Sequence, residues 1–211
     1  MKILAVADMP ARRFYDFYRP GCLDEYDLII ACGDLDAGYL DFLSSMAQVP
    51  VLYVRGNHDE ALLKDPPGGL ECIEDRVVVY NGVRFLGLGG SIRYKRSPCM
   101  FTERQMRRRI LRVLPSVLFH RGFDVLVTHS PARHLNDFDN YTHRGFECFN
   151  RLLQRYQPAV FVHGHIHTNY GMHIPRYTRH GSTLVVNACE YAVIELKQDM
   201  PCSWKAEDAR L

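Results

Sequence analysis

The chain reads as an α/β domain that mixes parallel and antiparallel strands, and three observations carry that reading. Short apolar runs of strand length alternate with segments of helical period. Asn81-Gly82 sits between two such runs and supplies the positive φ angles of a tight hairpin, so at least one pair is antiparallel. A length of 211 residues fits one domain with ample core.

In chain order, the period predicts strands at Lys2–Ala7, Asp27–Cys32, Val51–Arg55, Arg76–Tyr80, Val83–Leu88, Asp124–Thr128, Ala159–His163, Leu184–Asn187 and Tyr191–Leu196. It predicts helices at Leu35–Met46, Thr102–Leu114 and Arg144–Tyr156. Thr102 and Gln105 have the spacing of a capping box for the second helix. The third carries Phe146, Phe149, Leu152, Leu153 and Tyr156 on one face, a stripe made for a core. Pro66-Pro67-Gly68-Gly69 is the strongest breaker, yet it lies inside the domain, before the hairpin. Residues 1–211 are expected to form a single domain, with 197–211 as a polar tail.

Apolar residues make up 47% of the chain and charged ones 24%, a balance that excludes disorder. The longest apolar stretches, such as Ile3–Ala7 and Leu28–Cys32, fall far short of the ~20 residues that span a bilayer, so no membrane partner is expected. The opening run stops at Asp8, which argues against a leader peptide. Seven cysteines (22, 32, 72, 99, 148, 189 and 202) are scattered and never spaced CxxC. They spell neither a zinc finger nor a disulfide framework, and free thiols in a reducing cytoplasm are the expectation.

The net charge is only +2, but it is unevenly placed. Between Arg93 and Arg112 eight basic residues (Arg93, Lys95, Arg96, Arg104, Arg107, Arg108, Arg109 and Arg112) meet one acid, Glu103. A basic segment thus rides on an acidic body.

The residues just past each strand are more informative. The run Ile3–Ala7 meets Asp8; Leu28–Cys32 meets Gly33-Asp34; Val51–Arg55 meets Gly56-Asn57-His58-Asp59. Val125–Thr128 meets His129, and Val160–Val162 meets His163-Gly164-His165-Ile166-His167. In α/β sheets, ligand sites gather beyond the carboxyl ends of strands. Glycine before the polar residue allows the tight turn that brings a side chain inward. Asp34 alone would pass for a helix N-cap, and a lone loop histidine for polar surface. His163 reads as a buried, hydrogen-bonded strand end or a support for a ligand. Five strand ends carrying carboxylate, amide and imidazole together point to a metal site, of a chemistry that suits Mn, Fe or Zn.

In that order, Asp8, Gly33-Asp34, Gly56-Asn57-His58-Asp59, Thr128-His129 and Gly164-His165-Ile166-His167 resemble the five motifs of the calcineurin-like metallophosphoesterases, over residues 2–196. The resemblance implies a two-sheet mixed β-sandwich flanked by helices, in layers α/β/β/α. It implies metal-dependent hydrolysis of a phosphate ester, a phosphodiesterase first of all, with two divalent ions. By the same resemblance Asp34 bridges the ions, Asp8 and His167 bind the first, and Asn57, His129 and His165 bind the second. His58 is implied to face the substrate and assist the leaving group, with Asp59 holding its far ring nitrogen. Such a pair of ions lowers the pKa of water to give hydroxide for in-line attack on phosphorus.

One position departs from the pattern. The first motif is normally Asp-x-His, and here it reads Asp8-Met9-Pro10. Proline brings no donor, so the first site is expected to be weakened. Water could fill the gap, the site could stay empty, or Arg12 or Arg13 could swing in; weakened binding of two ions is the preferred outcome. The loss also keeps a second class open, a scaffold of the same fold without catalysis.

Arg104, Arg107, Arg108 and Arg112 share the outer face of the second predicted helix, opposite Met106, Ile110, Val113 and Leu114. That face is either a solvated surface or a phosphate-binding one, to which arginine is well suited. His143 and Arg144 could set a cation beside the substrate phosphate. Gly87-Leu88-Gly89-Gly90-Ser91 could approach a phosphate, although it lacks the lysine of a P-loop. The substrates in view are a phosphorylated small molecule or nucleotide, with a nuclease acting on RNA or DNA through segment 93–112 as an alternative.

Overall fold

The apolar runs assemble into two sheets, described by a computed structural model for residues 1–167 and 175–196. In the first, β1 (Lys2–Val6), β2 (Leu28–Ala31), β3 (Val51–Tyr53) and β4 (Leu70–Cys72) run parallel, and β13 (Ala192–Glu195) closes the edge antiparallel to β1. The second holds β5 (Val77–Tyr80), β6 (Val83–Leu88), β9 (Val125–Thr128), β10 (Val160–His163), β11 (Tyr177–His180) and β12 (Thr183–Asn187), in the order β11-β12-β10-β9-β6-β5. Its centre, β6, β9, β10 and β12, is parallel, while β5 and β11 pair antiparallel at the two edges. A two-strand ribbon, β7 (Ser91–Ile92) with β8 (Met100–Phe101), stands apart.

The layers follow from alternation along each strand. Ile3, Ala5, Leu28 and Ile30 of the first sheet pack against Phe85, Val125, Val127, Val160 and Val162 of the second. Their neighbours face outward. Leu4, Val6 and Ile29 meet Tyr39, Leu40 and Leu43 of α1 (Ala37–Met46), and Leu86, Leu126 and Phe161 meet α2 (Glu103–Phe119) and α3 (Glu147–Tyr156). Strands covered on both faces need unbroken apolar runs. The α/β/β/α sandwich is the expected fold.

Several boundaries depart from the sequence reading. α1 begins at Ala37, because Asp36 rather than Asp34 is its N-cap, accepting from the Gly38 amide at 2.8 Å. α2 has the expected capping box but runs on through Pro115 to Phe119. Pro115 is exposed, so the lost donor falls on the solvent side while Val117 keeps the core contact. α3 starts at Glu147, three residues late. Its first amides are met by Glu103, which accepts from Glu147 at 3.2 Å and Cys148 at 2.7 Å. The lone acid of the basic segment thus caps a neighbouring helix. The strands β4, β7, β8 and β11 escape a periodic reading because they are short, or polar in the case of β11. The Asn81-Gly82 turn has the expected positive φ values, 48° and 78°, between β5 and β6. The tail at 197–211 lies outside the described residues.

Candidate metal centre

The carboxyl ends of β1, β2 and β3 in one sheet, and of β9 and β10 in the other, open at the same end of the sandwich. Bonds across the sheets join them there. Both Asp8 carboxylate oxygens accept from the His165 amide, at 2.9 and 3.0 Å, and the Cys32 carbonyl lies 2.8 Å from His129 Nδ1. Asp8, Asp34 and His165 hold positive φ angles of 67°, 54° and 68°. Left-handed backbone at non-glycine residues is costly and collects at functional sites. Gly56 is needed for a different reason: a Cβ there would stand 2.1 Å from Asp34 Oδ1. The neighbouring Gly33 is equally constrained, with φ at 90° and a would-be Cβ 2.3 Å from the Gly56 nitrogen.

Four ligand-type atoms converge. Around His129 Nε2 lie Asn57 Oδ1 at 3.0 Å, His165 Nδ1 at 3.1 Å and Asp34 Oδ2 at 3.3 Å. The far ring nitrogens are both committed to carbonyls: His129 Nδ1 to Cys32 at 2.8 Å, and His165 Nε2 to Thr142 at 2.9 Å. A carbonyl can only accept, so each ring carries a proton on that far nitrogen and, when neutral, turns a lone pair toward the centre. Four lone-pair donors facing one point repel each other unless a proton or a metal cation joins them. The donor set, one carboxylate, one amide oxygen and two imidazoles, fits Mn, Fe or Zn.

The electrostatics agree. Burial would lower the basicity of His129, yet the Asp34 carboxylate, with help from Asp8, pushes its pKa up to about 9. The centre is therefore an environment that favours positive charge. Burial and then the His129 charge push His165 down to about 3. Asp34 is itself buried, but His129 and the His58 amide, which donates to Oδ1 at 2.7 Å, hold its carboxyl well below the usual range. Asp8 moves the other way, up to about 6, chiefly through burial.

The other half of the site is looser. His167 Nε2 is 3.9 Å from Asp8 Oδ1, and among the described residues the convergent group is Asp34, His129 and His165 without these two. Pro10 brings no donor. Neither nearby arginine replaces it: Arg12 is exposed and pairs with Asp16 at 3.3 Å, and Arg13, also exposed, lies over the Phe14 ring.

A cleft of about 260 Å³ opens on the centre, lined by Asp34, Asn57, His58, Tyr94, Thr142, His143, His165 and His167. His58 is exposed at its rim. The expected bond from Asp59 to the His58 ring is not made. Asp59 Oδ2 instead accepts from the Gly56 amide at 2.7 Å and the Asp34 amide at 2.8 Å, bracing the loops that carry both residues. His143 does reach the cleft, but burial, followed by the His167 charge, lowers its pKa, so it is a poor cation. Arg144 and Arg104 are exposed and do not line it, and Arg108 lines a different cleft. The glycine run packs closely on its neighbours, since a Cβ at Gly89 would stand 2.1 Å from Glu74 Oε1 and one at Gly90 2.5 Å from the Cys99 carbonyl, and both residues line that different cleft rather than the metal one. His163 is the buried strand end expected, with Nδ1 2.9 Å from the Gly164 carbonyl and its pKa pushed down to about 4 by burial. Two participants escape sequence reading. Tyr94 OH accepts from Asn57 Nδ2 at 3.3 Å and turns the amide oxygen to the centre. Its position in the basic loop is the one available cue, whereas the Thr142 carbonyl gives none, since every residue has one.

Comparison with known proteins finds similar folds and a family. One solved structure aligns with a TM-score of 0.66 at 15% identity, covering 92% of this chain and 94% of its own. A hypothetical protein from Thermus thermophilus aligns at 0.47 and 20%, covering 89% and 75%. Chaetomium thermophilum Vps29 aligns at 0.43 and 13%, covering 93% and 80%. No curated protein matches. Residues 1–169 match the calcineurin-like phosphoesterase family, which spans every one of the five strand-end motifs, and the chain belongs to that family.

Proposed function

We propose that the chain is a metal-dependent phosphodiesterase holding one divalent ion tightly and a second weakly. The observation that supports it is the convergence of Asn57, His165 and Asp34 on His129 Nε2, with both imidazoles oriented by backbone carbonyls. Asp34, Asn57, His129 and His165 would hold the tight ion; Asp8, His167 and Asp34 would hold the weak one. When bound, a divalent ion neutralises phosphate oxygens and lowers the pKa of water toward neutrality.

The remaining work belongs to side chains. His58, exposed at the rim, gives a proton to the leaving oxygen. Asp59 positions that histidine through the loop backbone rather than through its ring. Neutral His143 hydrogen-bonds a phosphate oxygen. The cleft takes a phosphate and part of one ester group, and leaves the other substituent outside. A cytoplasmic setting belongs to the same reading, supported by the free thiols of the six described cysteines.

The test is metal removal, reloading with excess Mn²⁺, an ion count per chain, and turnover of bis-p-nitrophenyl phosphate. Turnover should depend on Mn²⁺, and His58→Ala should lower kcat by about 10²-fold or more. Pro10 favours a second reading, a binding scaffold that has lost catalysis. A flat trace for wild type and His58→Ala alike would select it.

A further inference from the structure

A second cleft, of about 390 Å³, lies beside the metal centre and takes no part in the chemistry above. Arg55, Arg108, Arg109 and Arg112 line it together with Glu74 and Asp75. These charges do not cancel. Arg55 Nη2 donates to Glu74 Oε2 at 2.7 Å, while its amide donates to Oε1 at 2.7 Å. Arg109 Nε donates to both Asp75 oxygens, at 2.9 and 3.0 Å. Arg109 Nη2 also reaches Glu74 Oε2 at 3.4 Å, so the two carboxylates are together neutralised by these two buried or half-buried arginines. Arg108 and Arg112 stand one turn apart on α2, exposed, with no carboxylate partner among the described residues. Two guanidiniums are left over, the charge of one phosphate dianion, in a fork geometry that suits its oxygens.

The path of the chain makes the two clefts neighbours. Arg55 lines one and Asn57 the other, two residues apart and so within about 7 Å along the chain. The Gly90 amide donates to the Arg55 carbonyl at 2.7 Å, pinning the loop that puts Tyr94 in the metal cleft and Pro98 in the arginine cleft.

We propose that the arginine cleft binds a phosphate that the substrate carries in addition to the scissile ester. The substrate class is then a phosphodiester with a terminal phosphate, such as a 5′-phosphorylated dinucleotide. The proposal takes its substrate from the phosphodiesterase reading, but its binding can be measured without turnover.

The probes are pApA and ApA, which differ by that one phosphate. Calorimetric titration of the full chain in a His58→Ala background, loaded with Mn²⁺, should show pApA binding at least tenfold tighter than ApA. Adding Arg108→Ala and Arg112→Ala should erase the difference. Arg112→Glu alone, on an exposed helix face, should do the same with a smaller salt dependence remaining. Equal binding of pApA and ApA overturns the proposal. So does a preference that survives the arginine substitutions, which would put the terminal phosphate elsewhere. If the wild type hydrolyses no diester while the preference and its loss are both observed, the phosphodiesterase reading fails and the anion cleft stands.

Discussion

The two halves of the proposed metal centre are both built from strand ends, yet one half is finished and the other is not. In the finished half, three ligand atoms stand 3.0 to 3.3 Å from His129 Nε2, and each imidazole is aimed by a backbone carbonyl. In the open half, Asp8 and His167 are 3.9 Å apart, the Asp8 oxygens are engaged by the His165 amide, and Pro10 stands at the third position. His129 is fully buried, whereas the His167 side chain is 30% exposed. Preorganisation separates them. A ligand held by its surroundings loses little freedom when a cation arrives, and one that must be ordered loses more. The finished half keeps every ligand type of its motifs together with the bonds that aim them, whereas the open half has lost one ligand at Pro10 and holds Asp8 and His167 less closely.

The comparison breaks most completely at the residue the halves share. Asp34→Ala removes a ligand from both, and should abolish Mn²⁺ retention through gel filtration. If the ion supplies several kcal/mol of transition-state stabilisation, turnover of bis-p-nitrophenyl phosphate should fall by on the order of 10³-fold. Retention of one ion per chain would show that the finished half does not need its carboxylate, contrary to the convergence at His129.

A smaller and opposite effect is expected from repairing the open half. Pro10→His restores an imidazole beside Asp8. Bound Mn²⁺ should rise from about one ion per chain toward two at the same free Mn²⁺, with turnover rising about tenfold, a figure typical of one adjusted ligand environment. An unchanged ion count would mean that backbone placement of residues 8–10, not the missing donor, keeps the site open. Arg12 and Arg13 face outward and should not influence either result.

The sequence makes these halves look nearly alike, differing by one proline, and the reason is physical. Ligand types and glycines are legible, because a tight strand-to-loop turn leaves a residue-type signature: Gly33, Gly56, and Asp8 or Asp34 after an apolar run. So are both sheets' inner strands, whose two-faced burial demands uninterrupted Ile, Leu and Val. Backbone carbonyls are illegible. Nothing in the sequence assigns Cys32 and Thr142 as acceptors for His129 and His165, or turns Asp59 from the His58 ring to two amides. Charge placement is half legible. The basic segment stands out, but its members scatter on folding: Arg109 is buried against Asp75, Arg107 pairs with Glu103, and Arg108 and Arg112 turn to the second cleft. A helical wheel orders residues around an axis and cannot see what lies beside the helix.

The floor of the finished half offers the finest comparison. His163 is fully buried, its Nδ1 faces the Gly164 carbonyl, and its Nε2 has no hydrogen-bond partner among the described residues. Burial pushes its pKa from 6.5 down to about 4, so the folded chain resists the proton that the unfolded chain accepts. The sign follows from linkage: the contribution is whole above about pH 6.5 and drains away as the pH falls toward 4. At pH 5 the loss should be about 2 kcal/mol relative to pH 7.5. Other groups titrate in the same range, so the wild-type slope alone does not isolate it. His163→Gln keeps an amide donor for the Gly164 carbonyl and removes the titration. Urea unfolding at pH 7.5 and pH 5 should therefore show the variant losing less stability than the wild type by about that amount. Equal losses would mean that His163 is already neutral-favouring in the unfolded chain, or that the interior beneath His165 admits a proton at no cost, and the finished half would then be less tightly sealed than its hydrogen bonds indicate.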